Sequence, residues 1–165
     1  MFSKTENFNQ PIGSWDVSKV IVMTRMFGFA KAFNKHIGDW DVSNVTSMDG
    51  MFNDAKRFNQ PIGDWDVSNV KRIGSMFQKS VFNQPIGNWD VSNVTSMGHM
   101  FYQAKAFNQP IGSWDVSNVI YMEGMFKGAK KFNQPIGDWN VSNVKKMGHM
   151  FKDSVYRHAK PSVER

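Results

Sequence analysis

Phe58-Asn59-Gln60-Pro61-Ile62-Gly63-Asp64-Trp65-Asp66-Val67-Ser68-Asn69-Val70 is written, with few changes, six times along the chain, beginning at Phe8, Phe33, Phe58, Phe82, Phe107 and Phe132. The starts lie 25, 25, 24, 25 and 25 residues apart. Self-similarity at a period of about 20 to 50 residues marks stacked units, none of which buries its apolar face without a neighbour. The repeats occupy residues 8–155 of 165, with an N-terminal extension at 1–7 and a basic C-terminal tail at 156–165 that holds Arg157, Lys160 and Arg165. Neither end reads as a substantial cap, and an open edge invites pairing.

Within one repeat the apolar spacing changes character. Trp65, Asp66 and Val67 alternate apolar and polar, the pattern of a short strand with Trp and Val turned to the core. Farther on, Val45, Met48, Met51, Phe52 and Ala55 fall at steps of three and four, which line one face of a helix. Glycines at 50, 74, 98, 124 and 148 weaken that reading and restrict the expected helix to the piece around Met51 to Lys56. Asn-Gln-Pro returns the chain to the next strand, since proline ends a helix, and Ser-Asn supplies a turn at the other corner. The expected fold is an α/β repeat solenoid of about six turns, each with one short parallel strand and one short helical segment. Tryptophans, phenylalanines and methionines that recur at the same place in every turn read as interior columns.

The strand segment Ile62-x-x-Trp65-x-Val67 looks like the strand signature of leucine-rich repeats. Val94-Thr95-Ser96-Met97-Gly98-His99-Met100-Phe101 resembles a stretch of BspA-like surface proteins, and Trp-Asp-Val-Ser-Asn-Val-Thr-x-Met is similar to the signature of a subgroup of that family. The resemblance covers about nine tenths of the chain. It implies a right-handed leucine-rich-repeat-type solenoid used for adhesion or protein binding, at the cell surface or secreted, with no catalytic residues to carry over.

Composition bounds the rest. No run of apolar residues reaches the roughly 18 needed to span a membrane. The first eight residues lack the basic segment and apolar run of a secretion signal. Absence of cysteine removes disulfides and thiolate metal sites. Twenty Lys and Arg against fourteen Asp and Glu give +6, an excess that favours acidic partners.

Because the core positions repeat, function is expected in the exposed columns and in the positions that break the pattern. One column is acidic, Asp16, Asp41, Asp66, Asp90 and Asp115, ending in Asn140. It has three readings: turns closed on the following serine, a calcium ladder with a thin oxygen supply, and a polar recognition face. A second column is basic, Lys31, Lys56, Arg57, Lys105, Lys130 and Lys131, placed to offset a helix dipole or to attract a polyanion. A third set is apolar where other turns are polar, at Ile21, Val22, Phe29, Ile120 and Tyr121. His99 and His149 share a column two turns apart, about 10 Å, too far for one metal. No nucleophile stands with its own base, so neither enzyme activity nor a cofactor is expected.

The sequence therefore points to a non-enzymatic protein-binding or adhesion module that presents an extended repeat surface to a protein partner of unknown identity. The contact candidates are His99, Ile120, Tyr121, Lys145, Lys146 and His149, which occupy variable positions of the later turns. Two alternatives remain open: a structural protein that self-associates through its ends, and a polyanion binder that uses the basic column.

Overall fold

The computed structural model describes residues 2–162; Met1 and residues 163–165, among them Arg165 of the basic tail, lie outside the described part. The repeats are numbered 1 to 6 from Phe8, Phe33, Phe58, Phe82, Phe107 and Phe132. Consecutive repeats lie side by side, joined by backbone hydrogen bonds between residues 23 to 26 positions apart.

Two elements expected from the sequence are absent. Among the described residues there is no α-helix, and the regular pairing consists of isolated parallel bridges, one residue per repeat, that run Val22, Ser47, Arg72, Ser96, Tyr121, Lys146. The α/β solenoid with a strand and a helical segment per turn, and with it the leucine-rich-repeat architecture, is thus corrected to a stack of irregular turns.

The expected helix fails for a reason visible in its hydrogen bonds. In a helix every N–H returns to the carbonyl four residues back in the same segment. Here alternate groups go to different places. Met51, Asn53 and Ala55 donate to Met48, Gly50 and Phe52 three residues back, whereas Gly50, Phe52 and Asp54 donate across to Gly74, Met76 and Gln78 of the next repeat. The backbone reaches this alternation by entering the left-handed region at Gly50 (φ 61) and Asp54 (φ 58). Arg25, Ser75, His99, Gly124 and His149 take the same conformation in the Gly50 column, as do Phe29, Lys79, Gln103, Gly128 and Asp153 in the Asp54 column. The segment is a run of overlapping β-turns, and the apolar steps of three and four follow from turns as well as from a helix.

The expected strand at Trp65–Val67 fails because its backbone is already committed to turns. Trp65 N–H donates to Ile62 and Val67 C=O accepts from Val70. Bridging moves to the next free stretch, where Lys71 N–H donates to Thr46, Arg72 C=O accepts from Met48, and Ile73 N–H donates to Ser96.

The interior is built from columns. Phe27, Phe52, Phe77, Phe101 and Phe126 stack along the axis with ring centroids 5.6–5.8 Å apart. Each also lies flat against the phenylalanine that opens the following repeat, as in Phe52 on Phe58 at 3.9 Å and Phe101 on Phe107 at 3.8 Å. Tryptophans form a second column, and their indole N–H groups tie rungs together: Trp40, Trp65, Trp89, Trp114 and Trp139 each donate to the isoleucine carbonyl of the preceding repeat at 3.1–3.2 Å. Trp15 has no such rung before it among the described residues and is 43% exposed, against 3–4% for the other five. Asparagine side chains make a third column, in which Asn9, Asn34, Asn59, Asn83 and Asn108 each accept from the backbone N–H of the asparagine one repeat on.

The segments outside the six repeats take up the same contacts. Phe2 and Lys4 donate to Met26 and Gly28 as Phe27 and Phe29 do to Met51 and Asn53. At the other end Tyr156 stacks on Phe132, and Arg157 N–H donates to the Asn133 side chain.

Candidate functional site

With the core columns filled by repetition, the exposed columns carry what distinguishes one repeat from another. Two of them run next to each other. Backbone hydrogen bonds link Thr46, Lys71, Thr95, Ile120 and Lys145 in order, each N–H donating to the carbonyl of the residue before it. The bridge residues Ser47, Arg72, Ser96, Tyr121 and Lys146 follow one position later in each repeat. Apart from the buried Ser47, these positions lie outside the phenylalanine and tryptophan columns and are half-buried or exposed.

Over repeats 4 to 6 the first of these columns borders a shallow groove of about 520 Å³, lined by Asn93, Thr95, Asn118, Ile120, Asn143 and Lys145. The asparagine wall is held in place from behind: Asn93, Asn118 and Asn143 donate their side-chain amides to Ser68, Ser92 and Ser117 carbonyls at 2.7–2.8 Å. Ile120 and Thr95 are half-buried and form the floor, while Lys145 is exposed. Beside the groove Tyr121 is 45% exposed, and Lys146 Nζ stands over its ring at 5.9 Å from the centroid. Four contact candidates, Ile120, Tyr121, Lys145 and Lys146, are therefore brought together.

His99 and His149 are not part of this group. Both occupy left-handed turn positions. His99 packs edge-on against Tyr102 at 5.6 Å, and its ring occupies the space beside Gly124. His149 lies two repeats away, beside Met147, Phe151 and Pro161. Among the described residues no three His, Asp or Glu side chains gather where a metal ion could be held.

The acidic column is occupied with turn closure. Asp16, Asp41, Asp66 and Asp90 each accept both the backbone N–H and the hydroxyl of the serine two residues on, at 3.0 and 2.6 Å. Asp115 and Asn140 accept the serine N–H in the same way. The serine hydroxyl, then the serine N–H, hold the Asp16, Asp41, Asp66 and Asp115 carboxyls below the ordinary value, against smaller opposing effects that include the neighbouring aspartate at Asp41 and Asp66.

The basic column is partly spent on the stack itself. Lys31 pairs with Glu6 at 2.6 Å, and that hydrogen bond and charge raise its pKa. Lys56 pairs with Asp54 at 2.6 Å and donates to the Lys79 carbonyl, and Lys130 donates to the Asp153 carbonyl at 2.7 Å. Arg57, Lys105 and Lys131 make no ion pair among the described residues. The column is also interrupted in repeats 3 and 6, where Ser80-Val81 and Ser154-Val155 replace the longer corner. There the serine hydroxyl accepts the N–H of the next aromatic residue, at Phe82 and Tyr156.

Thr95 and the asparagines at 93, 118 and 143 line the groove, and Lys71 and Arg72 stand in the two columns one repeat before it; sequence reasoning singled out none of them as contacts. Their signal was present in the alignment of the repeats: Lys71 and Arg72 fall in the same two columns as Lys145 and Lys146. Arg72 is shared with Asp49, 3.2 Å away. Among the described residues no helix is long and apolar enough to cross a membrane.

One protein-family model matches the chain twice, over residues 1–81 and 75–161, and its description reads "Mycoplasma protein of unknown function, DUF285". No curated protein and no solved structure matches.

Proposed function

Since the chain belongs to this family of unknown function, its role has to be argued from its own surface, and we propose that it is a non-enzymatic protein-binding module that offers a face of its repeat stack to a protein partner. The observation that supports the reading is the placement of the variation. Repeats that are nearly identical inside differ at Lys71, Thr95, Ile120 and Lys145 and at Arg72, Ser96, Tyr121 and Lys146, and these differences fall side by side on one exposed face. Tyrosine and arginine, here Tyr121 and Arg72, are among the side chains on which binding energy concentrates at protein interfaces.

The polyanion alternative has less to draw on, because Lys31, Lys56 and Lys130 already serve partners within the stack. It predicts binding that falls steeply with salt and depends on Arg57, Lys105 and Lys131. The self-association alternative predicts a mass that grows with protein concentration.

A pull-down with the full chain separates these readings. The expected result is capture of a defined protein that Tyr121→Ala and Lys146→Glu lose and Lys105→Glu retains. Capture abolished only by Lys105→Glu, or light scattering that shows concentration-dependent mass without any partner, would replace the protein-binding reading by the corresponding alternative.

A further inference from the structure

Resting on the protein-binding reading, we infer that the groove over repeats 4 to 6, continued by the Lys71 and Arg72 positions of repeat 3, takes an extended acidic peptide laid along the stack, with two carboxylates about four residues apart and an apolar side chain between them.

The two adjacent columns carry a symmetrical pattern. In the first, Lys71 and Lys145 flank Thr95 and Ile120; in the second, Arg72 and Lys146 flank Ser96 and Tyr121. Both cation pairs are exposed, whereas Thr95, Ile120 and Ser96 between them are half-buried. The pairs stand three rungs apart, about 14 Å at the spacing of hydrogen-bonded parallel chains. An extended peptide advances about 3.3 Å per residue, so carboxylates at positions i and i+4 span that distance.

Between the cation pairs the surface changes to what an apolar side chain would meet, Ile120 on the groove floor and the exposed ring of Tyr121. Asn93, Asn118 and Asn143 spend their amide N–H on serine carbonyls, which leaves the side-chain oxygens as acceptors for a peptide backbone. No carboxylate lines the groove, and the one ion pair that the four cations make among the described residues is Arg72 with Asp49. Charge complementarity thus selects an acidic occupant, and the length of the bracket selects its spacing.

The fold tolerates removal of these charges. The column of Lys71 and Lys145 holds threonine in repeats 2 and 4, and that of Arg72 and Lys146 holds serine there. Charge reversal at Lys71 or Lys146 therefore tests binding in a folded chain.

The experiment is selection of a random dodecapeptide library on the immobilised full chain, followed by titration of the enriched peptides against the wild type and against Lys71→Glu, Lys146→Glu and Lys105→Glu. Expected is enrichment of peptides with two acidic residues four apart around an apolar one. Their affinity should fall about tenfold or more in Lys71→Glu and Lys146→Glu, stay unchanged in Lys105→Glu, and weaken with salt. Enriched peptides without carboxylates, or peptides indifferent to Lys71→Glu and Lys146→Glu, would overturn the acidic occupant and leave the protein-binding reading in place. A library that yields no peptide would overturn the peptide occupant, and the pull-down alone would then decide the protein-binding reading. A single-stranded oligothymidylate that displaces the selected peptides and binds more tightly than they do would assign the groove to nucleic acid.

Discussion

A single carbonyl oxygen explains why glycine follows isoleucine in repeats 1 to 5. A Cβ built on Gly63 would lie 2.6 Å from the Pro85 carbonyl oxygen, and Gly13, Gly38, Gly87 and Gly112 meet the corresponding carbonyl at 2.7 Å. The obstacle is backbone of the next rung, which cannot rotate aside. Gly63→Ala should therefore lower stability by about 1–3 kcal/mol, the usual range for forcing extra volume into a packed site. Gly148→Ala, where nothing lies within 4 Å of the added carbon, should leave the thermal midpoint unchanged. Equal loss in both variants would show that the close approach is not what the glycine serves. The aspartate turns make a second prediction at this scale. Their carboxyls titrate below the ordinary value because Ser68 and Ser117 donate to the charged form. A depressed folded pKa adds stability that is present above the unfolded value, near 4, and is lost as pH falls through the folded value. Acid titration of stability should thus show a decline below about pH 4 that becomes shallower in Asp66→Asn and Asp115→Asn. The amide is compatible with the turn, since Asn140 already makes the same bond to Ser142. An unchanged acid profile would remove these turns from the account of acid stability.

Within one repeat, the sequence specified what is buried better than how the backbone runs. Trp65, Val67, Met76, Phe77 and Phe82 are interior as their recurrence required. The same recurrence could not distinguish a helix from overlapping turns, because apolar steps of three and four fit both. What decided it was the destination of alternate N–H groups, to the own turn or to the next repeat, and that is a property of the stack and not of one segment. Serine, lysine and phenylalanine accept left-handed backbone at Ser75, Lys79 and Phe29, a conformation for which those residue types give no sign. For the groove, Ile120, Tyr121, Lys145 and Lys146 were legible as departures from the repeat, whereas its asparagine wall was hidden by its very regularity. The indole bond offers a test of the rung as a unit. Trp89→Phe keeps an aromatic side chain but leaves the Ile62 carbonyl without its donor, and a buried acceptor left unpaired costs about 1–3 kcal/mol. Trp15→Phe loses no such bond, because the Trp15 indole N–H has no carbonyl partner among the described residues. A marked drop in denaturation midpoint is expected for the first variant and little change for the second. Similar midpoints would mean that the indole bond contributes no net stability.

At the scale of the whole molecule, each repeat touches only its neighbours, so stability is a chain of local interfaces joined in series. The phenylalanine column runs unbroken through those interfaces. Phe77 stacks on Phe52 behind it at 5.8 Å, on Phe101 ahead at 5.7 Å and on Phe82 at 4.1 Å, and it is fully buried. Truncating such a side chain costs about 3–5 kcal/mol, which approaches the whole stability of an ordinary domain, about 5–15 kcal/mol. In a globular core that loss would be shared over the molecule. In a stack it weakens the two interfaces of one rung, so Phe77→Ala should divide the chain into two cooperative blocks, repeats 1 and 2 on one side and repeats 4 to 6 on the other. Phe151, partly buried at one end of the column, interrupts nothing between blocks, and Phe151→Ala should leave a single transition with a lower midpoint. Native-state hydrogen exchange reads the difference directly. Expected for Phe77→Ala is accelerated exchange centred on the N–H groups of Phe52, Asp54, Phe77 and Lys79, which cross between repeats 2, 3 and 4, with protection retained in repeats 5 and 6. Uniform acceleration along the chain would show instead that the six repeats fold as one unit, with coupling between rungs stronger than the side chains of any one of them.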